Sequence, residues 1–129
     1  TGSKNIALGL NAADALTTGA LNIAMGYNAY GTAEAGTYNV ALGYLALGGA
    51  LVTGADNIAI GGSAMDALTS GACNIALGMN ALGLSTTGCQ NIAIGELAIG
   101  GADTTGINNI AIGQSAMAWL AFPVAGAVL

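Results

Sequence analysis

The pentapeptide Asn5-Ile6-Ala7-Leu8-Gly9 recurs along the 129-residue chain with only conservative changes at its second and fourth positions. Its seven copies begin at Asn5, Asn22, Asn39, Asn57, Asn74, Asn91 and Asn109. Successive copies are 17, 17, 18, 17, 17 and 18 residues apart. A fixed period of this length predicts a solenoid, in which each repeat is one turn that buries its apolar side chains only by stacking on its neighbours.

A longer period of three turns is superimposed on the short one. Residues 5–56 align without a gap to residues 57–108, and 29 of the 52 aligned positions are identical. Each copy ends on a long turn, and the extra residue follows the Gly-Gly pairs at 48–49 and 100–101. We interpret these pairs as turn residues beside a loop of variable length. A phosphate-binding loop is not indicated, because no Lys-Ser or Lys-Thr follows them.

The spacing of apolar residues within a repeat predicts β-strands. Ile6 and Leu8 are two residues apart with Ala7 between them, and alternate residues of a strand point to opposite faces. We expect the large side chains to fill one side and the alanines to leave a flat side that faces solvent or another chain. A second apolar pair, Ala29-Tyr30 in the second repeat, predicts a second short strand in each turn. The Thr-Thr-Gly sequences that close the turns predict a polar corner.

Two residue types mark the ends of the first strand. Stacked turns place asparagine above asparagine at about 4.8 Å, so the side-chain amides are predicted to form a hydrogen-bonded ladder. A ligand-binding or glycan-bearing role is the alternative for these residues. Glycine ends each strand where the chain bends, since glycine adopts positive φ at little cost. These corner glycines are Gly9, Gly26, Gly43, Gly61, Gly78, Gly95 and Gly113.

The pattern therefore predicts an all-β protein, a β-solenoid of the β-roll or β-helix type with about seven turns of 17 to 18 residues. The repeats occupy residues 1–118, and the apolar residues 119–129 are interpreted as a C-terminal cap or assembly segment. A solenoid of strands and short helices is the alternative, because segments 11–16 and 63–68 contain good helix formers. The chain starts within a repeat, and we expect it to be a piece of a longer shaft.

Charge is scarce, and this bears on the partners of the protein. The chain has six acidic residues, one lysine and no arginine, which gives a net charge of −5. Binding to nucleic acid or to an anionic membrane is therefore not expected, nor is membrane insertion. Only 5% of residues are charged, so much of the outer surface is predicted to contact other copies of the chain. We expect a parallel homotrimer or a filament.

Nothing in the sequence points to an enzyme, a cofactor or a metal site. Without histidine, the chain lacks the commonest general base and imidazole ligands. The carboxylates belong to different turns, and Asp14 and Asp66 are separated by three turns, about 14 Å. Cys73 and Cys89 are interpreted as small apolar wall residues, with a disulfide between neighbouring turns left open. The carboxylates are Asp14, Glu34, Asp56, Asp66, Glu96 and Asp103.

The tyrosines crowd into the second and third turns of the first unit. Tyr27, Tyr30, Tyr38 and Tyr44 correspond to Met79, Leu82, Gln90 and Glu96 in the second unit. Either the coil is wider or differently packed there, or the tyrosines form a receptor-binding patch. The first interpretation is favoured.

The assembled motifs resemble those of two groups of surface proteins. Residues 22–30, Asn-Ile-Ala-Met-Gly-Tyr-Asn-Ala-Tyr, and residues 74–82, with the following Thr-Thr-Gly, resemble repeats of bacteriophage tail-fibre-like proteins. They are also similar to the head repeats of trimeric autotransporter adhesins, the YadA-like heads. The repeat is longer than in those heads, and Ala, Leu and Ile replace most of the usual Ser and Thr.

This resemblance implies a homotrimeric fibre or adhesin shaft on a virion or cell surface, which mediates or spaces attachment to a host. A receptor would then be bound through a region outside this chain. The low charge favours a subunit of a self-assembling extracellular filament or sheath as the alternative. An ice-binding solenoid is a minor alternative, since threonine arrays on flat solenoids can order water.

Overall fold

The computed structural model describes residues 2–102, 105–119 and 125–129. Over these residues the protein is a parallel β-solenoid built on one seven-stranded sheet in the order β1 to β7. No helix occurs among them, so the helical alternative is wrong there. The strands are β1 (Ile6–Leu8), β2 (Ile23–Met25), β3 (Val40–Leu42), β4 (Ile58–Ile60), β5 (Ile75–Leu77), β6 (Ile92–Ile94) and β7 (Ile110–Ile112).

Every strand pairs in register with the next one along the chain. Ala24 lies opposite Ala41, and the residues on either side of it match their equivalents in the same way. The same register holds across the 18-residue turns, where Ala41 pairs with Ala59. The extra residue is therefore accommodated outside the strands, and six turns of the coil connect the seven strands.

The strands face the opposite way from the orientation that we expected. Ala24, Ala41 and their equivalents in β4 to β7 are fully buried, whereas Ile58 and Ile60, on either side of the buried Ala59, are 36% and 39% exposed. In the terminal strand β1 all three residues are exposed. The prediction of a flat outer alanine side is therefore wrong. The interior is too narrow for two bulky columns, and the small alanine lets opposite sides of the coil approach. Alternation defines two faces of a strand but does not say which one is buried.

The second apolar pair of each turn supplies most of the remaining core. In the second turn, Ala29 and Tyr30 are both fully buried. Both residues lie in a local hydrogen-bonded backbone turn and not in a strand, so the prediction of a second strand is wrong. The second residue of the pair has φ near 50° in all seven turns, which bends the chain and turns the side chain inward. That column contains Ala13, Tyr30, Leu47, Met65, Leu82, Ile99 and Met117.

Left-handed backbone is confined to a few columns. The structure describes 21 non-glycine residues with positive φ, and all of them lie at the same three positions of the repeat. Such residues are strained in isolation, and here they are held by the stacking of identical turns. The corner glycines have φ between 125° and 134°. An added Cβ on Gly26 would lie 2.6 Å from the carbonyl oxygen of Gly43, so glycine is required there for close stacking as well as for φ.

The last residues of the chain add to the same stack. Ala125 pairs in parallel with Ile107, and Val128 with Ile110. The backbone N–H of Ala127 donates to Oδ1 of Asn109 at 3.0 Å, which continues the hydrogen bonding of the asparagine column. Pro123 lies outside the described residues, as do the other residues of 120–124.

Candidate functional site

The outer side of the sheet is the most distinctive surface of the protein. Two side chains of each strand point outward, and all fourteen are Ile, Val, Leu or Met. None of them is buried, and Ile6, Leu8 and Ile112 are more than half exposed. We call this surface the outer apolar face. It consists of Ile6, Leu8, Ile23, Met25, Val40, Leu42, Ile58, Ile60, Ile75, Leu77, Ile92, Ile94, Ile110 and Ile112.

The borders of the outer apolar face differ between its two ends. The residue after the corner glycine is Tyr27 in the second turn and Tyr44 in the third, and both side chains are exposed. Their rings stack with centroids 5.6 Å apart and planes inclined by 9°. The equivalent residues of the sixth and seventh turns are Glu96 and Gln114. The apolar surface therefore extends further sideways in the first turns than in the last.

The tyrosines do not form a single cluster. Tyr30 is fully buried in the core, while Tyr27, Tyr38 and Tyr44 are exposed. The Tyr30 hydroxyl donates to the carbonyl oxygen of Ala35 at 2.8 Å and accepts from Nδ2 of Asn39 at 2.9 Å. Burial raises the pKa of Tyr30 to about 12, against a smaller lowering by the Asn39 hydrogen bond. One tyrosine therefore fills the coil and three lie on the surface. The receptor-binding interpretation of the exposed tyrosines stays a prediction.

The seven asparagines of the motif lie in one file along the coil. Oδ1 of Asn57 accepts from the backbone N–H of Asn74 at 3.1 Å and from its Nδ2 at 3.0 Å. Nδ2 of Asn57 donates to Oδ1 of Asn39 at 3.1 Å and to the carbonyl oxygen of Gly71 at 3.0 Å. Each side chain thus joins neighbouring turns. Asn22, Asn39, Asn57, Asn74, Asn91 and Asn109 are buried, which is suited to holding the turns together.

The polar corners use their hydroxyl groups in the same way. Oγ1 of Thr17 donates to the carbonyl oxygen of Glu34 at 3.0 Å, and Oγ1 of Thr69 donates to that of Thr86 at 2.9 Å. These bonds connect successive turns. Because these hydroxyl groups donate to backbone carbonyl oxygens of the next turn, the threonines link neighbouring turns. They therefore do not present a regular array of free hydroxyl donors.

The remaining chemically active residues are dispersed. Among the described residues, no group of three or more Cys, Asp or Glu side chains is placed to hold a metal ion. Cys73 is exposed and Cys89 half-buried, and neither is part of a disulfide. Asp103 lies outside the described residues. The part of the chain that the structure describes also contains no helix long and apolar enough to cross a membrane.

Reasoning from the sequence found the asparagines and glycines but missed the outer apolar face. The sequence shows the columns that form this face, but it predicts that their side chains point into the coil. The alanine at the centre of each strand indicates the correct orientation, since a small residue that recurs in every repeat fits a narrow interior better than an exposed surface. Comparison with protein-family models, curated proteins and solved structures finds no match to this chain.

Proposed function

We propose that the chain is a segment of a structural shaft that assembles with other copies of itself through the outer apolar face. The observation that carries this proposal is the unbroken file of fourteen outward apolar side chains with no charge among them. Contiguous exposed apolar surface in a soluble protein marks an interaction site. A second copy of the chain is the best-matched partner, because its strands have the same spacing and the same side chains at every level.

The geometry favours a parallel arrangement about an axis along the coil. Copies related by such an axis bring equivalent turns to the same height, so each Ile or Leu level meets its own equivalent. A homotrimer with the face at its centre covers the face on all three chains. The borders add to the contact in the first turns, where Tyr27 and Tyr44 flank the face.

The size of the face sets the expected strength of assembly. Seven strands about 4.8 Å apart and about 10 Å long give a face of roughly 300 Å². A stable protein interface buries about 800 Å² on each partner. We therefore expect an oligomer of this segment to dissociate on dilution, and a shaft with more turns to assemble more tightly.

The proposed role is mechanical and extracellular. A stiff rod with this assembly mode would space or present an attachment site on a virion or cell surface, and the resemblance to tail-fibre-like and trimeric adhesin repeats supports this role. The filament or sheath subunit is the second candidate, favoured by the continuity of the apolar face along the whole coil. Negative-stain electron microscopy separates the two, since discrete rods support the shaft and fibres of unlimited length support the filament.

Sedimentation equilibrium tests the assembly itself. Ile60→Lys puts a charge in the middle of the face, and Thr87→Lys puts the same charge at an exposed corner as a control. We expect concentration-dependent trimers for the wild type and for Thr87→Lys, and a folded monomer for Ile60→Lys, with folding checked by circular dichroism. A wild-type chain that stays monomeric at several hundred micromolar would overturn the proposal.

A further inference from the structure

A trough opens on the solenoid surface where the repeat changes composition. The column that follows the inward bulky residue reads Asp14, Gly31, Gly48, Asp66, Gly83, Gly100 and Ala118. After Asp66, two successive turns have no side chain at this position. The resulting cavity has a volume of about 290 Å³ and is lined by Ser63, Asp66, Asn80, Gly83, Leu84, Leu97, Gly100 and Gly101.

The floor of the trough is fixed by backbone packing. A Cβ on Gly100 would collide with the carbonyl oxygen of Asn80, so this position cannot hold a side chain without displacing the turn. A Cβ on Gly83 would lie 3.0 Å from the same oxygen. The trough is therefore a consequence of how these turns stack, and no side chain of the described residues fills it.

The trough is lined by apolar and polar residues, with Asp66 in its first turn and Gly100 in its last. Leu84 is half exposed, and Leu97 lies in the next turn. Ser63 and Asn80 also line the trough. The distance from the level of Asp66 to that of Gly100 is two strand spacings, about 10 Å. This shape suits an elongated ligand with one polar end and a hydrocarbon body.

Asp66 places a carboxyl group at one end of the trough, and the chain has no basic side chain in the neighbouring turns to pair with it. Its side chain is half-buried, and the buried Oδ1 has no hydrogen-bond partner. Burial raises the pKa of Asp66, against a smaller lowering by the backbone N–H of Gly49. Lys4 is the one basic side chain of the protein, and it belongs to the start of the first turn, three turns away. A cation brought by a ligand would supply the missing opposite charge.

We propose that this trough binds an alkylammonium group, with the ammonium at Asp66 and the hydrocarbon chain against Leu84 and Leu97. Such a group occurs in a lysine side chain of another protein and in small aliphatic amines. The site is separate from the outer apolar face, and its ligand does not depend on self-association. Because the cavity is small and open, we expect weak binding that depends on both the charge and the chain.

The first unit of the chain provides an internal comparison. Asp14, Gly31 and Gly48 repeat the acidic residue and the two glycines, but Thr32 stands where the second unit has Leu84. Its Oγ1 donates to the carbonyl oxygens of Gly48 at 2.9 Å and Ala50 at 2.7 Å. Asp14 is exposed, so its charge is dissipated in water. The first unit therefore lacks one of the two apolar side chains and the half-buried charge, and is expected not to bind.

Titration of the ¹⁵N-labelled protein with hexylammonium, 1-hexanol and hexanoate tests the proposal. We expect amide shifts at Gly83, Leu84 and Gly101, and binding of hexylammonium at least ten times tighter than that of the other two. Asp66→Asn should reduce the affinity at least tenfold, whereas the matched variant Asp14→Asn should leave it unchanged. Acidification should weaken binding as the Asp66 carboxyl takes up a proton.

A second pair of probes distinguishes the sources of the ammonium. Binding of a short peptide with one lysine, and loss of binding when that lysine is acetylated, would identify a protein side chain as the ligand. Binding of hexylammonium without the peptide would identify a free amine. Equal affinity for hexylammonium and hexanol, or unchanged affinity in folded Asp66→Asn, would overturn the proposal. Neither result depends on whether the chain forms trimers.

Discussion

The two three-turn units, residues 5–56 and 57–108, show how one frame holds two different interiors. Both units keep the asparagines, the strand alanines and the corner glycines in the same places, and these asparagines and alanines are buried except Asn5 and Ala7 of the first turn. They differ in what fills the coil, since Tyr30 of the first unit corresponds to Leu82 of the second. Both side chains are buried and leave the main chain with φ near 50°. The frame therefore does not depend on the identity of the bulky residue.

The exchange does change the hydrogen bonds around it. In the first unit, Nδ2 of Asn39 donates to the Tyr30 hydroxyl, whereas Nδ2 of the equivalent Asn91 donates to Oδ1 of Asn74 at 3.2 Å. Gly36, whose added Cβ would collide with the Tyr30 hydroxyl, has φ of 95°. The other described glycines of its column have no positive φ. A polar core residue thus altered one corner while the strands kept their register.

The largest expected effect comes from breaking the shared frame in each unit. Asn39→Ala and Asn91→Ala each remove the acceptor of the next asparagine's backbone N–H and the donor to a buried glycine carbonyl. We expect each to lower the free energy of unfolding by roughly 3 to 5 kcal/mol, since two buried backbone groups lose their partners. The two losses should be of similar size, because the bond from Asn39 to the Tyr30 hydroxyl replaces the bond from Asn91 to Oδ1 of Asn74.

Chemical denaturation measures both losses, with the exposed Gln114→Ala as a control that should change stability by less than about 0.5 kcal/mol. Losses below about 1 kcal/mol at both asparagines would show that the ladder is not what holds the turns in register.

A smaller effect is expected where the units differ. Tyr30→Phe leaves the Ala35 carbonyl without its donor and should cost about 1 to 2 kcal/mol, while the exposed Tyr44→Phe should be neutral. Burial raises the pKa of Tyr30 from 10.0 to about 12, so the unfolded chain ionises first as pH rises. The free energy of unfolding of the wild type should therefore fall by about 2 to 3 kcal/mol between pH 10 and 12, and that of Tyr30→Phe should not show this fall. Equal alkaline curves for both proteins would contradict this assignment.

The smallest effect concerns the two equivalent aspartates. Because burial raises the pKa of Asp66, its unfolded form ionises at a lower pH than its folded form. Ionisation of Asp66 therefore lowers the free energy of unfolding. This loss grows as pH rises from the ordinary aspartate pKa of 3.8 through the raised pKa. Asp66→Asn should modestly stabilise the protein at pH 7 and remove this part of the pH dependence. Asp14→Asn should do neither, and thermal unfolding at pH 3 and pH 7 compares the variants.

The repeat period made the stacked fold predictable. The second strand that the sequence predicts for each turn is absent from the described residues. The asparagine and glycine columns recur at fixed spacing, and a fixed spacing has one economical arrangement, a stack of turns. Pairs such as Ala12-Ala13 and Ala46-Leu47 also recur, and apolar residues in a short run are typical of a strand. They form turns instead, with positive φ at residues that rarely adopt it in isolation. Only contacts with the turns above and below hold that conformation.

By itself, the sequence determined the number of repeats, the parallel register of their first strands and the line of asparagines, because translation along a stack maps equal spacing onto equal position. The tertiary structure decided which face of each strand is inside. Alternation is symmetric between the two faces, and the narrow width of the coil, which admits alanine and excludes isoleucine, exists only after the turns have closed. The same closure left fourteen apolar side chains on the outside, and it opened the trough beside Asp66.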